Sequence, residues 1–501
     1  MKNPKNRRKY NSELCDETMT FQECELAILR HAVDETENIQ SQKIANSDEI
    51  KRMILILEIF LKRKECICYG GTAINNILPK FAQFYNRELE VPDYDFYSKN
   101  ALADAKELAD IYYKAGYEDI EAKAGVHHGT FKVFVNFTPI ADITYLHPEI
   151  FDAMSKESIR VAGIRYAPPN FLRMNMFLEL SRPAGDVSRW EKVLKRMTLL
   201  NQFYPLLPKL ECSMVEFQRR MENNNPDSEN IYLIVRNALM EQGVVFFGGY
   251  AASLYSRHMP KHQQRLIETI PDFDVISEES ETCATIVMEQ LEQAGYKKIT
   301  SIYHPPIGEL IPEHIEIRAG KETLVFIYTP IACHNYNKLH IGPNEIKVAT
   351  IDTMLSFYFA FYYANQPYYN KDRILCMTKF LFEVEQQNRL AQRGLLKRFS
   401  IDCYGKQPTL ESIRGEKVKK YEELKHNRNS LEYEDWFLKY NPFTKYGVKT
   451  KDKETKSSVE LGKIPKEYQN REKRNTTKRF QKRVRRTQRK LNKKGEFLNI
   501  F

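Results

Sequence analysis

Three aspartates in the first half of the chain have the type and spacing for metal-assisted phosphoryl transfer. Asp93 and Asp95 flank Tyr94 in the run EVPDYDFYS. On a strand, residues i and i+2 face the same side, so these two carboxylates would project together. Like charges this close repel each other unless a divalent cation lies between them. An isolated Asp-x-Asp is usually only an acidic turn or strand end, so a further carboxylate is needed to favour a metal site.

Asp142 supplies that third carboxylate. It lies in FTPIADITYL, a β-rich run whose apolar residues predict a core strand, where a charge needs a partner. Three carboxylates on neighbouring strands suit two Mg²⁺ ions about 3.5–4 Å apart, which clamp the attacking and leaving oxygens. The sequence therefore predicts a two-metal site at Asp93, Asp95 and Asp142.

A Gly-Gly turn precedes the aspartates. The apolar run ECICY leads into Gly70-Gly71-Thr72 and then into AINNIL, which reads as the start of a helix. Glycines allow the backbone to approach an anion closely, and a helix N-terminus offers free N–H groups. Thr72 could add a hydroxyl to a phosphate oxygen. The alternative is an ordinary structural turn between a strand and a helix.

The same pattern occurs a second time. Gly248-Gly249 is followed by Asp272-Phe273-Asp274 and later by Thr-Pro-Ile-Ala, the tetrapeptide that precedes Asp142 in the first copy. After it the second copy has Cys333, so we expect one active site and one remnant in which the third carboxylate has decayed. Both copies also place Ala-Gly-Tyr twenty residues beyond the second Asp. Repeats this long indicate duplicated domains rather than a solenoid.

The pattern of apolar residues and helix breakers predicts an α+β chain with two tandem domains of the same kind. The expected segments are a helical N-terminal region at 1–64, a catalytic domain with a helical extension at 65–200, a helical connector at 201–243, a degenerate copy at 244–390, a helical C-terminal region at 391–440 and a basic, disordered tail at 441–501.

Composition fits a globular protein in a reducing compartment. Hydrophobic residues make up 42% of the 501 residues and charged residues 28%. The strongest apolar run, Met53–Leu61, is too short to cross a membrane. The nine cysteines are scattered and odd in number, which argues against a disulfide framework. We interpret Cys66 and Cys68 as small buried hydrophobes, and His127-His128 and His258…His262 as isolated surface residues rather than metal ligands.

The net charge of +10 is concentrated at the C-terminus. Residues 441–501 alone carry +14, whereas the remainder carries −4. The most basic stretch, 478–494, has ten Lys and Arg residues and no acidic residue, which fits either a polyanion-binding arm or a solvated terminus. Candidate RNA-binding residues in it are Lys478, Arg479, Lys482, Arg483, Arg485 and Arg486.

Together, Gly-Gly-Thr, Asp-x-Asp and the third Asp resemble the nucleotidyltransferase superfamily of DNA polymerase β and the poly(A) polymerases. The duplication, together with LELSRP…RW at Leu178–Trp190, resembles the poly(A) polymerase catalytic subunit of poxviruses and giant mimivirus-like viruses. The resemblance covers 65–389. It implies that Asp93 and Asp95 bind both metals, that Asp142 activates the 3′-hydroxyl, and that the Gly-Gly-Thr turn holds the triphosphate.

A positive residue near the phosphates is also expected. Arg182 is a candidate because its counterpart in the second copy is Gln366, although capping of a helix C-terminus explains it equally well. The cofactors implied are two Mg²⁺ or Mn²⁺ ions, with ATP as the substrate and an RNA 3′ end as the acceptor.

The leading hypothesis is template-independent addition of AMP to RNA. Alternatives are a CCA-adding or small-molecule nucleotidyltransferase, or a non-catalytic RNA-binding scaffold. The resemblance allows either a homodimer, which we expect, or a separate processivity partner. It also implies a viral protein of the host cytoplasm (the viral factory) and allows its packaging in the virion.

Overall fold

The computed structural model describes residues 13–446, except 16–17, 46, 87–90, 209–210, 216–226, 260, 265–271, 343 and 389. The predicted tail therefore lies outside the described residues from 447 onward. The described part is α+β, as predicted, and it is built around two mixed eight-stranded sheets. Among the described helices, none is long and apolar enough to cross a membrane.

The first sheet lies in the first half of the chain, apart from one strand from near the C-terminus. Its strands are β1 (Ile67–Cys68), β2 (Tyr94–Ser98), β3 (Ile120–Ala124), β4 (Thr130–Val135), β5 (Thr138–Tyr145), β6 (Ile159–Val161), β7 (Ile164–Tyr166) and β16 (Lys439–Tyr440). Their order is β16-β3-β4-β5-β2-β1-β7-β6. The central pair β2 and β5 is parallel.

The second sheet repeats this arrangement. Its strands are β8 (Val245–Phe247), β9 (Phe273–Ile276), β10 (Ile299–His304), β11 (His314–Ala319), β12 (Glu322–Tyr328), β13 (His334–Ile341), β14 (Asn344–Ala349) and β15 (Cys403–Tyr404). The order is β10-β11-β12-β9-β8-β14-β13-β15. Seven strands correspond one to one with those of the first sheet, so the sequence repeat is also a repeat of topology.

Helices pack against both sheets and connect them. They are α1 (Phe21–Ala45), α2 (Asp48–Lys64), α3 (Gly70–Ile77), α4 (Ala101–Lys114), α5 (Pro148–Glu157), α6 (Pro169–Leu180), α7 (Trp190–Phe203), α8 (Ser228–Glu241), α9 (Gly248–Tyr255), α10 (Lys261–Gln264), α11 (Ser280–Gln293), α12 (Ile351–Tyr363), α13 (Lys371–Gln387), α14 (Leu410–Leu424), α15 (Leu431–Phe437) and α16 (Pro442–Tyr446). In α2, Met53, Leu57 and Phe60 recur at helical spacing and are buried against the first sheet.

The two Ala-Gly-Tyr motifs perform the same task in each half. They end α4 and α11, and Gly116 and Gly295 have φ of 98° and 91°, in the left-handed region that glycine adopts without a steric cost. In both turns the Tyr N–H bonds back to a carbonyl in the last turn of the helix, at Tyr112 and Leu291 respectively.

Equivalent helices join the halves. α6 packs along α12, and Phe177 stacks on Phe359 with ring centroids 6.2 Å apart. Every residue of α12 is buried. The C-terminal segment then binds both halves, because β15 pairs with β13 of the second sheet and β16 pairs with β3 of the first.

Three disulfides contradict the expectation of no disulfide framework. Cys15–Cys24, Cys212–Cys376 and Cys333–Cys403 are bonded, and their Cα atoms lie 5.1–5.4 Å apart. The sequence did not reveal them because two of the pairs join residues 164 and 70 positions apart. Cys66 and Cys68 are free and buried, as predicted, and so is Cys283.

Candidate active site

Strand pairing brings two of the predicted aspartates face to face. Asp95 on β2 and Asp142 on β5 are direct register partners on neighbouring parallel strands. Asp93 lies just before β2 and is more exposed. Tyr94 points to the opposite side, where it is buried and its hydroxyl donates to Glu58 at 2.8 Å. The three carboxylates therefore share one face of the sheet.

Burial and charge repulsion weaken two of these acids, Asp93 and Asp95, by raising their pKa values. Burial, followed by the charges of Asp93 and Asp142, raises the pKa of Asp95 to about 7. Burial and Asp142 also raise the pKa of Asp93. Lys132 opposes the shift at both residues. Carboxylates that repel each other at this distance favour a bound cation between them.

Lys132 is the cation closest to this site, and sequence analysis missed it. It lies on β4 directly opposite Asp142, and its ammonium contacts the Asp142 carboxylate. With the side chains in this arrangement, the described residues contain no group of three His, Cys, Asp or Glu that encloses a metal position. The donors are nevertheless carboxylate oxygens, which are the ligands that Mg²⁺ and Mn²⁺ prefer.

The Gly-Gly turn lies against the carboxylates. α3 begins at Gly70, whose φ is 72°, and a Cβ there would come within 2.9 Å of the Asp95 carboxylate. A Cβ on Gly71 would meet the Tyr85 hydroxyl and would lie 2.8 Å from the Arg196 guanidinium. The left-handed backbone of Gly70 favours glycine there, beside the Asp95 carboxylate, whereas a Cβ at Gly71 would displace the ends of the Tyr85 and Arg196 side chains.

Thr72 is buried beside this turn and holds the aspartate loop. Its hydroxyl donates to the Asp93 carbonyl at 2.5 Å. A cavity of about 260 Å³ opens next to it, close to the lower end of ordinary ligand sites, about 300 Å³. Its lining residues are Thr72, Asn75, Asn76, Tyr85, Val91, Pro92 and Asp93.

Three cations before and along α7 face this region. The charge of Arg189 opposes the rise in the pKa of Asp95, and the charge of Lys192 opposes the rise in the pKa of Asp93. Arg196 bonds the Tyr85 hydroxyl at 2.5 Å. The spacing i, i+3, i+7 places all three on one helix face, a signal that the sequence contained.

Arg182 lies elsewhere, in the contact between the two halves. It is half-buried, and its charge acts on His334 of β13. Burial lowers the pKa of Arg182 to about 10, while Glu179 and Glu309 act against that shift. Among the cations described here, those that act on Asp93 and Asp95 are Lys132, Arg189 and Lys192.

The second copy has lost its third carboxylate at a different residue from the one predicted. In the sheet, Asp274 is the register partner of Phe326 on β12, just as Asp95 is the partner of Asp142. Cys333 follows β12, immediately before β13, where it is bonded to Cys403. The Thr-Pro-Ile-Ala tetrapeptides occupy non-equivalent positions, so the assignment of Cys333 as the decayed aspartate was wrong.

The cavity beside the two aspartates of the second copy is small. Asp272 and Asp274 are buried, and the cavity beside them measures about 40 Å³. A single water occupies about 30 Å³ in the liquid, so a nucleotide does not fit there. Aromatic residues and a cation close it, namely Tyr358, Phe361, Tyr368, Tyr369 and Arg373.

Comparison with known proteins supports the resemblance drawn from the motifs. Residues 55–186 match the family model described as poly(A) polymerase catalytic subunit. Candidate poly(A) polymerase catalytic subunits of African swine fever virus (isolate Tick/Malawi/Lil 20-1/1983) and Acanthamoeba polyphaga mimivirus are each 32% identical, over 174 and 187 residues. These alignments cover 34% and 36% of this chain. They span about a third of the relatives' own length, 36% and 30%.

The fold likeness extends much further than the sequence match. The crystal structure of the Megavirus polyadenylate synthase superposes with a TM-score of 0.70 at 20% identity, over 88% of this chain and 89% of that one. The matched segment 55–186 contains the Gly-Gly turn and all three aspartates. The predicted resemblance to the poly(A) polymerase catalytic subunits of large DNA viruses is thus confirmed, by sequence over 55–186 and by fold over most of the chain.

Proposed function

We propose that the chain is a template-independent poly(A) polymerase that transfers AMP from ATP to the 3′-hydroxyl of RNA. The observation that carries the proposal is the direct pairing of Asp95 with Asp142, next to the Gly70-Gly71 turn, inside the segment that matches the family. Acids for metal ions and a close backbone approach for phosphates are the parts that nucleotidyl transfer requires.

The residues of the chain divide the task between the two substrates. Gly70 and Gly71 let the start of α3 approach the triphosphate, and Arg196 with Lys192 neutralises its charge from α7. The cavity beside Thr72 receives another part of the nucleotide. Asp142 faces the RNA 3′-hydroxyl and orients it toward the α-phosphorus, while pyrophosphate leaves toward the cations.

Asp93, Asp95 and Asp142 would hold two Mg²⁺ or Mn²⁺ ions. When bound, these ions lower the pKa of the attacking hydroxyl and neutralise the leaving pyrophosphate. Lys132 forms an ion pair with the Asp142 carboxylate in this structure. This ion pair must therefore loosen before Asp142 can help to hold the metal ions.

The second copy is proposed to be a degenerate nucleotidyltransferase domain. Phe326 replaces the third carboxylate, and the small cavity leaves no room for a nucleotide. A homodimer and a place in the host cytoplasm or virion remain proposals that rest on the viral resemblance. Contacts of the basic tail with RNA remain a proposal that rests on its charge of +14.

Labelled nucleotides distinguish this function from its alternatives. With Mn²⁺ or Mg²⁺ and an unstructured RNA oligonucleotide, we expect a long ladder with ATP and much weaker extension with CTP, GTP or UTP. Addition confined to tRNA ends would indicate a CCA-adding enzyme. Binding of RNA without any incorporation would indicate a scaffold.

A further inference from the structure

A row of paired residues crosses the first sheet at the level of the aspartates. Lys439 on β16 pairs with Lys123 on β3, and Lys123 pairs with Lys132 on β4. Lys132 pairs with Asp142, and Asp142 pairs with Asp95. Adjacent strands lie about 4.7–4.9 Å apart, so the three lysines extend about 14 Å from Asp142 to the edge of the sheet.

The lysine row, Lys123, Lys132 and Lys439, lies on the open face of this sheet. The side chains of Lys123 and Lys132 are 42% and 37% exposed, and Lys439 is exposed. The neighbouring residues on these strands point the other way, where Ala122 and Val133 are buried beneath α4.

Existing ion pairs neutralise part of the row. Lys132 contacts Asp142, and Lys123 lies 3.2 Å from Glu121 and 4.2 Å from the ring centre of Phe134. Like charges directly opposite each other destabilise a sheet. Three lysines at paired positions repel one another beyond what these two ion pairs offset, and a chain of phosphates would stabilise them further.

The second sheet offers an internal comparison. Its equivalent row reads Ile302, Glu316, Phe326 and Asp274, and it contains no lysine. The position of Lys132 is taken there by Glu316, so the charge is reversed. Within the repeat, the lysines accompany the copy that has three carboxylates.

We propose that the lysine row binds backbone phosphates of the RNA 3′ segment and leads the strand from Asp142 to the edge at β16. This proposal rests on the proposed function and adds the path of the acceptor strand. Binding to phosphates is independent of base sequence, as extension of a growing tail requires.

The test uses the full-length protein with Lys123 and Lys439 both changed to Gln. Lys132 is left intact because it contacts Asp142. Exposed lysines of the second domain provide the matched control, Lys297→Gln with Lys321→Gln. Affinity for a labelled RNA of about 16 nucleotides, an ordinary single-strand site, is measured without nucleotide at several salt concentrations.

Each lost phosphate contact reduces the slope of log affinity against log salt by about 0.7, so the slope of the double variant should be smaller by about 1.4. The control should keep the wild-type slope. Equal slopes for both variants would overturn the proposal, provided their melting temperatures match that of the wild type.

Primer extension separates this result from the proposed function. The double variant should show a raised KM for the long RNA and an unchanged kcat at saturating RNA. If the wild type adds no nucleotide but the double variant shows the smaller salt slope, the polymerase activity is refuted and the RNA path is retained. If the wild type is active but the slope of the double variant equals that of the wild type, the polymerase activity is retained and the RNA path is refuted.

Discussion

At the scale of single residues, the site combines acids that repel each other with cations that the fold brings close from other parts of the chain. Asp95 and Asp142 face each other, and the pKa of Asp95 is raised to about 7. The lysine on β4 and the basic face of α7 provide the opposing charge. This balance suits a site that must accept both cations and a polyphosphate.

Arg196 should act on ATP rather than on RNA. It lies against Gly71 and Tyr85, at the turn proposed to hold the triphosphate. Arg196→Ala should raise the KM for ATP about tenfold or more, because a charged hydrogen bond contributes roughly 1.5–3 kcal/mol. Steady-state kinetics at saturating RNA measure this effect.

The control for Arg196 is its neighbour. Lys195→Gln removes an exposed cation that pairs only with the exposed Glu191 in the described contacts. It should leave the KM for ATP unchanged. Equal KM values for Arg196→Ala and the wild type would exclude Arg196 from the nucleotide site.

The sequence identified the aspartates and the glycines because their chemistry is local. It missed Lys132, although a lysine within the alternating strand TFKVFV already marks an open face. Which acid this lysine meets depends on the register between β4 and β5. In this hairpin the turn sets the register, and a β-bulge between Val133 and Phe134 shifts it by one residue. The bulge places Lys132 opposite Asp142, and spacing along the chain does not reveal it.

At the scale of elements, a tetrapeptide that is identical in the two copies does not mark structurally equivalent positions. Thr-Pro-Ile-Ala lies within β5 in the first copy and after β12 in the second. Only the pairing of Asp274 with Phe326 shows which residue replaces the carboxylate. The two-residue strands β15 and β16 were also unpredictable, because they are too short to show any periodicity.

The second copy should be silent in catalysis. Phe326→Asp restores a carboxylate opposite Asp274, but the cavity of about 40 Å³ still excludes a nucleotide. In a protein already inactivated by Asp142→Ala, this change should restore no AMP transfer. Incorporation of labelled ATP above the background of the Asp142→Ala protein would show that the second copy can work.

Docking of the C-terminal segment should depend on pH through His128. Its ring bonds Asp435 at 2.8 Å and stacks on Trp436, and the bond to Asp435 raises the pKa of His128 above its usual value of 6.5. A raised folded pKa contributes stability that is complete below about pH 6.5 and is lost as the pH rises through the folded pKa.

Melting temperatures measured against pH test this contact. His128→Gln should lower the melting temperature most at pH below 6.5, and the difference from wild type should shrink at higher pH. Asp435→Asn should reproduce this trend. A difference that stays constant with pH would mean that the contact stabilises only through packing.

At the scale of the whole molecule, two copies of one topology are joined by α6 and α12 and bound together by the C-terminal segment. One copy keeps all three acids, whereas the other keeps two acids beside a small cavity lined by aromatic residues. The duplication could be predicted from the sequence because its motifs recur at a nearly constant offset. The three disulfides could not, because two of them join residues 164 and 70 positions apart, and the spacing of the scattered cysteines does not single out the local pair Cys15–Cys24.

The basic tail should increase RNA affinity without sequence preference. Truncation after about Gly462 removes the acid-free stretch 478–494 with its ten Lys and Arg residues. RNA binding should weaken and its salt dependence should flatten, by about 0.7 in slope for each lost phosphate contact. Addition of a single nucleotide at saturating RNA should survive, because the aspartates lie elsewhere. Identical slopes for both proteins would assign the tail another role.

The most direct test of the central claim compares matched aspartates of the two copies. Asp95 and Asp274 occupy equivalent positions on β2 and β9, so each is changed to Asn and assayed for incorporation of labelled ATP into RNA. We predict that Asp95→Asn reduces incorporation at least about a thousandfold with its fold intact, whereas Asp274→Asn stays near wild type. Near-normal polymerisation by Asp95→Asn, or a comparable loss in Asp274→Asn, would contradict the assignment of one active site to the first copy.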